Sequence, residues 1–165
     1  MVINITGTND APVVAAPLTA SAHEGDAAIV ADLLNGATDI DHGETATLFV
    51  ASLTYTVDGG TASATPPAGV SLGADGHTLT VDPTNPAFDY LAFGEQTVIK
   101  VFYDVTDAQG ATVPQTETIT ITGTNDAPVI STADLQVSGG SLTRSADFRC
   151  PMRMHRLLNS SRLVL

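Results

Sequence analysis

The side chains with chemistry to offer in this chain are carboxylates gathered in turns and loops. Asp39 and Asp41 flank a single residue, and Asn9-Asp10 and Asn125-Asp126 each pair a neutral side-chain oxygen with a charged one. Glu24, Asp89 and Asp107 lie in further loops. Such a set can do proton transfer between paired carboxylates, as in glycoside hydrolysis, or it can hold a hard cation through oxygen. Nucleophilic catalysis has no local support. His23, His42, His77 and His155 are scattered, without a neighbouring Ser, Cys or metal-ligand partner, and Cys150 is the only cysteine, so neither a disulfide nor a two-cysteine metal clamp can form. A sugar-cleaving groove would normally be lined with aromatics. The eight Phe and Tyr fall mostly at strand-core positions, and no exposed cluster marks a platform. The chain reads as a non-enzyme.

Charge narrows the partners. Eighteen acids face six bases among 165 residues, and Lys100 is the only base before Ser141. A nucleic-acid binder needs a basic stripe, which this body lacks, and the same acidity disfavours an anionic membrane surface. No run approaches 18 apolar residues, so no membrane span is expected. Met1-Val2-Ile3-Asn4 lacks the basic residues and apolar run of a secretory signal. Three readings stay open: a protein that remains inside, one exported without an amino-terminal signal, or a fragment.

The elements that must position the carboxylates are strands. Leu53, Tyr55 and Val57 alternate with threonines and end in Asp58-Gly59-Gly60; Val70 and Leu72 are followed by Ala74-Asp75-Gly76 and then by Leu79 and Val81. An Asp-Gly pair between alternating runs is a hairpin signal, because it tolerates the positive φ of a tight turn. Ile99, Val101, Tyr103 and Val105 share one face of another strand, and Ile119 and Ile121 one face of the last. Ala27 to Leu34 suits a helix or a buried strand equally. Twenty-three threonines favour pleated strands. Strand interiors are almost free of charge. The expectation is an all-β fold, a Greek-key β-sandwich of cadherin or immunoglobulin type with about seven strands.

An internal repeat sets the boundaries. Ile5-Thr6-Gly7-Thr8-Asn9-Asp10-Ala11-Pro12-Val13 recurs unchanged as Ile121-Thr122-Gly123-Thr124-Asn125-Asp126-Ala127-Pro128-Val129, 116 residues later. That offset is one sandwich domain long. Residues 1–9 then read as the end of a preceding repeat and its linker, 10–128 as one repeat, and 129–165 as the start of a following repeat that passes into a basic tail. After about Ser131 the alternation stops. That tail reads as a disordered end, as translation through a frame break or into vector sequence, or as a basic segment for an anionic partner.

Strand direction gathers the acids at two ends. Asp10, Asp39, Asp41 and Asp107 converge at the end where the linker enters, with Asn9 as a neutral oxygen; Glu24, Asp89, Asn125 and Asp126 converge at the other. Singly, each is ordinary turn chemistry. Together, unit charges about 4 Å apart repel by about 4 kcal/mol at an effective dielectric of 20. A cation with all-oxygen preference turns that repulsion into cross-linking, and calcium suits loop carboxylates better than zinc, copper or magnesium. Asp39-Ile40-Asp41-His42-Gly43-Glu44 begins like an EF-hand loop but lacks its third acidic ligand and flanking helices.

The duplicated linker resembles the boundary motif of VCBS repeats and related cadherin-like domains of large bacterial surface adhesins, often exported by type I secretion. Glu24-Gly25, Asp39-Ile40-Asp41, Phe88-Asp89-Tyr90 with Gly94-Glu95, and Tyr103 to Asp107 with Gly110 follow that repeat's order. The resemblance covers residues 1 to about 130. It implies calcium held at the lower junction by Glu24, Asp89, Asn125 and Asp126, and at the upper by Asn9, Asp10, Asp39, Asp41 and Asp107. Phe88-Asp89-Tyr90-Leu91 lacks the final Glu of the cadherin loop. The implied function is a calcium-stabilised spacer in an extracellular or cell-surface adhesin, with neighbouring repeats as partners, serving cell adhesion or biofilm formation. The alternative is calcium-dependent binding of a surface glycan or protein.

Overall fold

Threonines alternating with valine and isoleucine make strands here, since β-branched side chains are restricted in a helix and pack well on a pleated surface. The structure, a computed structural model, describes residues 1–128 together with Val137–Ser138 and Ser141–Leu142. The chain divides into two compact units, Met1–Thr124 and Asn125–Leu165. Seven strands build the first: β1 (Leu18–His23), β2 (Ile29–Asp32), β3 (Phe49–Val57), β4 (Val70–Leu72), β5 (Thr78–Val81), β6 (Gln96–Thr106) and β7 (Thr112–Thr122). One 3-10 turn, Glu44–Thr47, is the only helical element among the described residues. In the second unit β8 (Val137–Ser138) pairs antiparallel with β9 (Ser141–Leu142); the rest of the expected tail lies outside the described residues.

The strands form two sheets, β1-β7-β6-β3 and β2-β5-β4. The β1–β7 pair is parallel and the other pairs are antiparallel. The fold class is therefore all-β, as the alternation requires. β6 and β7 pair residue for residue from Gln96↔Thr122 to Thr106↔Thr112. Their inward residues Ile99, Val101, Tyr103, Val105, Ile119 and Ile121 join Leu79 and Val81 of the other sheet in one buried cluster. Each such aliphatic, fully buried, contributes about 1.5–3 kcal/mol, so one core holds both sheets. The ambiguous segment Ala27 to Leu34 contains β2, because pairing with β5 and packing of Ile29 and Ala31 against the core decide what local propensity leaves open.

The Asp-Gly hairpin forms between β4 and β5. Gly76 takes φ +78, and the Asp75 carboxylate accepts hydrogen bonds from Thr78 Oγ1 (2.6 Å), Thr78 N (3.0 Å) and His77 N (3.1 Å). These bonds hold the Asp75 carboxyl down to about 2. Two expectations need correction. The aromatics are not mostly core: Tyr55, Phe88 and Tyr103 are buried, whereas Phe49, Tyr90, Phe93 and Phe102 are exposed. Phe102 falls on the outward phase of β6, and Tyr90 and Phe93 lie in the loop before β6. Nor are strand interiors free of charge, because Glu117 of β7 faces inward at 2% exposure.

Candidate metal centre

Three segments meet at one end of the first unit. Val13 and Thr38 form a backbone bridge (Val13 N to Thr38 O 2.7 Å, Thr38 N to Val13 O 2.9 Å), which holds the linker beside the β2–β3 connection. The β6–β7 turn supplies Asp107, whose main-chain N–H bonds to Ala111 O at 3.1 Å. In the β2–β3 connection Asp39 Oδ1 accepts from Asp41 N at 2.8 Å, folding the Asp39-Ile40-Asp41 run back on itself. Asp39 N in turn donates to Thr45 Oγ1 at 2.8 Å. Gly43, at φ +88, then starts the 3-10 turn that carries Glu44; a positive φ of this kind favours glycine.

Asp39, Asp41 and Glu44 each bring a carboxylate oxygen within 4.8 Å of the others. Asp10 N donates to Asp41 Oδ2 at 2.8 Å, and Asn9 Nδ2 donates to Asp107 Oδ2 at 2.8 Å. Of the five residues expected at the upper end, Asp39 and Asp41 lie in this cluster, Asp10 reaches it through its main-chain N–H, and Asn9 and Asp107 bond to each other. Glu44 joins Asp39 and Asp41 as a third carboxylate of the cluster. Its signal in the sequence is an acid placed directly after a glycine at a turn.

The electrostatics are those of a site short of positive charge. Burial pushes the Glu44 carboxyl above its ordinary range, and Asp41, Asp39 and Asp107 push it further. Asp107 moves the other way. The Asn9 amide lowers it most, and backbone N–H groups of Ala111, Gly110 and Gln109 add to that against the effect of burial. Asp39 Oδ2 and Glu44 Oε2 are buried without a hydrogen-bond partner. Buried polar atoms are nearly always satisfied, and these two oxygens have no partner within the chain. The donors are all oxygen and mostly anionic. An acidic cluster that could hold a metal ion is present, and its chemistry fits a hard divalent ion.

The lower set is placed less completely. Glu24 is buried at the end of β7, where its Oε2 accepts from Thr124 N at 3.0 Å and its main-chain N–H bonds to Thr122 O at 2.9 Å. Asp89 lies exposed in the loop after Phe88. Asn125 and Asp126 open the second unit and are exposed, with Asn125 Nδ2 donating to Asp126 O at 3.4 Å. Among the described residues no helix is long and apolar enough to cross a membrane. No protein-family model matches the chain, and no curated protein matches it.

Proposed function

We propose that this chain is a calcium-stabilised spacer module from a tandem-repeat, extracellular bacterial adhesin, contributing to cell adhesion or biofilm formation. The observation that carries the reading is the pair of buried, unpartnered oxygens, Asp39 Oδ2 and Glu44 Oε2, in a cluster of three carboxylates beside the linker. Calcium there would tie the linker to the β2–β3 connection and stiffen the passage from one repeat to the next. The duplicated nine-residue linker and the resemblance to VCBS and cadherin-like repeats support the tandem arrangement. Asn9, Asp10 and Asp107 would complete the upper ligand set, and Glu24, Asp89, Asn125 and Asp126 would serve the lower junction.

The test is thermal unfolding in calcium and in chelator at equal ionic strength. An ion bound to the folded state stabilises it by RT ln(1 + [L]/Kd), about 1.4 kcal/mol at ten times Kd, which is several degrees for a domain of this size. The double variant Asp39→Asn with Asp41→Asn should lose most of that gain. Identical melting in both buffers removes calcium from the proposal. A second reading, a calcium-dependent glycan or protein binder, is favoured by Tyr90 and Phe93, both exposed in one loop at 61% and 79%. A glycan array run with and without calcium separates the two readings.

A further inference from the structure

β1 and β2 are the edge strands of the two sheets and are not hydrogen-bonded to each other. A cavity of about 240 Å³ opens between them, lined by Leu18, Ala20, Ile29 and Ala31 and by the polar residues Thr19, Asp32, Asn35 and Glu117. Glu117 sits on β7, paired on one side with Leu18 and on the other with Val101. It is 2% exposed, and its Oε1 has no hydrogen-bond partner. The neighbouring polar groups turn elsewhere. Tyr103 donates its hydroxyl to Leu33 O at 2.7 Å, and Gln115 Nε2 points to Ala15 O and Ala16 O. Asp32 Oδ1 is engaged by Leu34 N at 2.9 Å and by His77 Nδ1 at 3.0 Å. Lys100, the only base of the first unit, is exposed on the outward phase of β6.

We propose that this cavity binds a primary alkylammonium group, with its ammonium on Glu117 and its alkyl stem along Ala20, Ile29 and Ala31. A buried carboxylate leaves a large desolvation penalty unless it is paired; Lys100 lies on the outward phase of β6, and His77 is engaged by Asp32. Calcium does not suit the site. It takes six to eight oxygens, whereas Ala20, Ile29 and Ala31 bring only alkyl side chains and Asp32 Oδ1 is already engaged. An ammonium needs few acceptors and brings its own apolar stem, the way lysine buries its methylenes. The site is separate from the carboxylate cluster and does not rest on the spacer reading. Burial pushes the Glu117 carboxyl up to about 7. A bound ammonium would draw it back down, so binding should strengthen as pH rises through neutrality. Tyr103, Asp32 and His77 are the other titratable groups beside it.

The experiment titrates the full chain with n-butylammonium chloride in calcium-containing buffer, against sodium chloride and n-butanol. NMR follows the Ala20 and Ala31 methyls and the Glu117 carboxyl carbon. Saturable shifts are expected with the amine alone, together with a fall in the apparent pKa of Glu117. Glu117→Gln should weaken binding about tenfold or more, as loss of a charged hydrogen bond does. Ala31→Leu, which fills the stem channel and leaves the acid in place, should abolish it and covers the case in which Glu117→Gln misfolds. A parallel titration with Nα-acetyl-lysine methylamide separates sources: matching shifts assign the site to lysine side chains of a partner, and silence there with butylammonium bound assigns it to free amines. No saturable shift with either amine, an equal response to butanol, or unchanged binding in a folded Glu117→Gln overturns the proposal.

Discussion

Asn9 donates a 2.8 Å hydrogen bond from Nδ2 to Oδ2 of Asp107, joining the linker to the β6–β7 turn across 98 residues of chain. The linker is therefore held to the body of the first unit by protein groups alone. Asp10, bonded through its main-chain N–H to Asp41 Oδ2, adds a second tie. Any ion in the carboxylate cluster acts on a junction that is already partly ordered. Its effect should be to relieve repulsion and fix side chains more than to create the contact.

Replacing Asn9 by Ala should raise the Asp107 pKa, because the Asn9 amide is the largest influence holding it down. A carboxyl with a depressed folded pKa gives stability above the unfolded value, near 3.9, which is lost as pH falls through the folded one. The stability that Asp107 contributes should therefore be smaller in Asn9→Ala, and its loss below about pH 4 should end at a higher pH than in the wild type. Carboxyl-carbon NMR of Asp107 between about pH 2 and 6, with melting temperature over the same range, checks it. An unchanged Asp107 titration would mean the hydrogen bond does not persist in solution.

Glu44→Gln should invert its effect with calcium. In chelator, the substitution removes a carboxylate that burial, Asp41, Asp39 and Asp107 all push toward protonation. The melting temperature should then rise at pH 8 and change little at pH 4, where the wild-type group is protonated. In calcium the same substitution removes an anionic ligand, so the gain from the ion should shrink. Melting curves of both proteins in both buffers decide it. A loss of equal size in both buffers would make Glu44 a packing residue and not a ligand.

How much of this was legible varied with the residue. Period-2 alternation made β6 and β7 plain, because a half-buried antiparallel strand must place aliphatics on one face. Strand direction suggested grouping Asp10, Asp39, Asp41 and Asp107; the structure brings the carboxylates of Asp39 and Asp41 together with Glu44, ties Asp10 to Asp41 through its main-chain N–H, and bonds Asp107 to Asn9. Glu44 escaped because its place depends on Gly43 turning into the left-handed region, a backbone event that spacing does not encode. Glu117 shares the inward phase of Ile119 and Ile121, so its burial could be read from the same alternation. Charge argued against that reading, and packing overrode it. Tyr90 and Phe93 escaped because loop exposure has no period.

The duplicated linker offers a test in which sequence is constant and surroundings differ. A Cβ on Gly123 would lie 2.5 Å from Ala92 O, 2.6 Å from Leu91 Cβ and 2.7 Å from Leu91 O, whereas one on Gly7 meets nothing within 4 Å. Gly123 is also fixed by its N–H to Glu95 O at 2.8 Å and by its carbonyl, which accepts from Gly94 N at 3.1 Å. Two of these neighbours are backbone oxygens and the third is a Cβ, none of them the far end of a flexible side chain. Gly123→Ala should cost about 1–3 kcal/mol, the range for overpacking, and Gly7→Ala within about 0.5. Urea unfolding of the two variants measures both. Equal stabilities would show that Leu91 and Ala92 can move aside.

Glu117 should give this domain a stability that declines toward alkaline pH. Burial raises its carboxyl from about 4.5 to about 7 in the folded chain. Between those values the folded state holds a proton that the unfolded state has released, so stability falls as pH rises through the window and is lowest above it. Glu117→Gln keeps the shape of the protonated acid and has nothing to ionise. In chelator it should match the wild type near pH 4 and exceed it at pH 8 by on the order of 2–3 kcal/mol. Taking the difference between the two proteins at each pH cancels the contribution of Asp39, Asp41 and Glu44, which both share. Denaturant melts every half unit from pH 4 to 8 measure it. A difference that stays flat across that range would mean water reaches Glu117 and leaves it ionised in the fold. The alkylammonium site would then lose the buried carboxylate on which it depends.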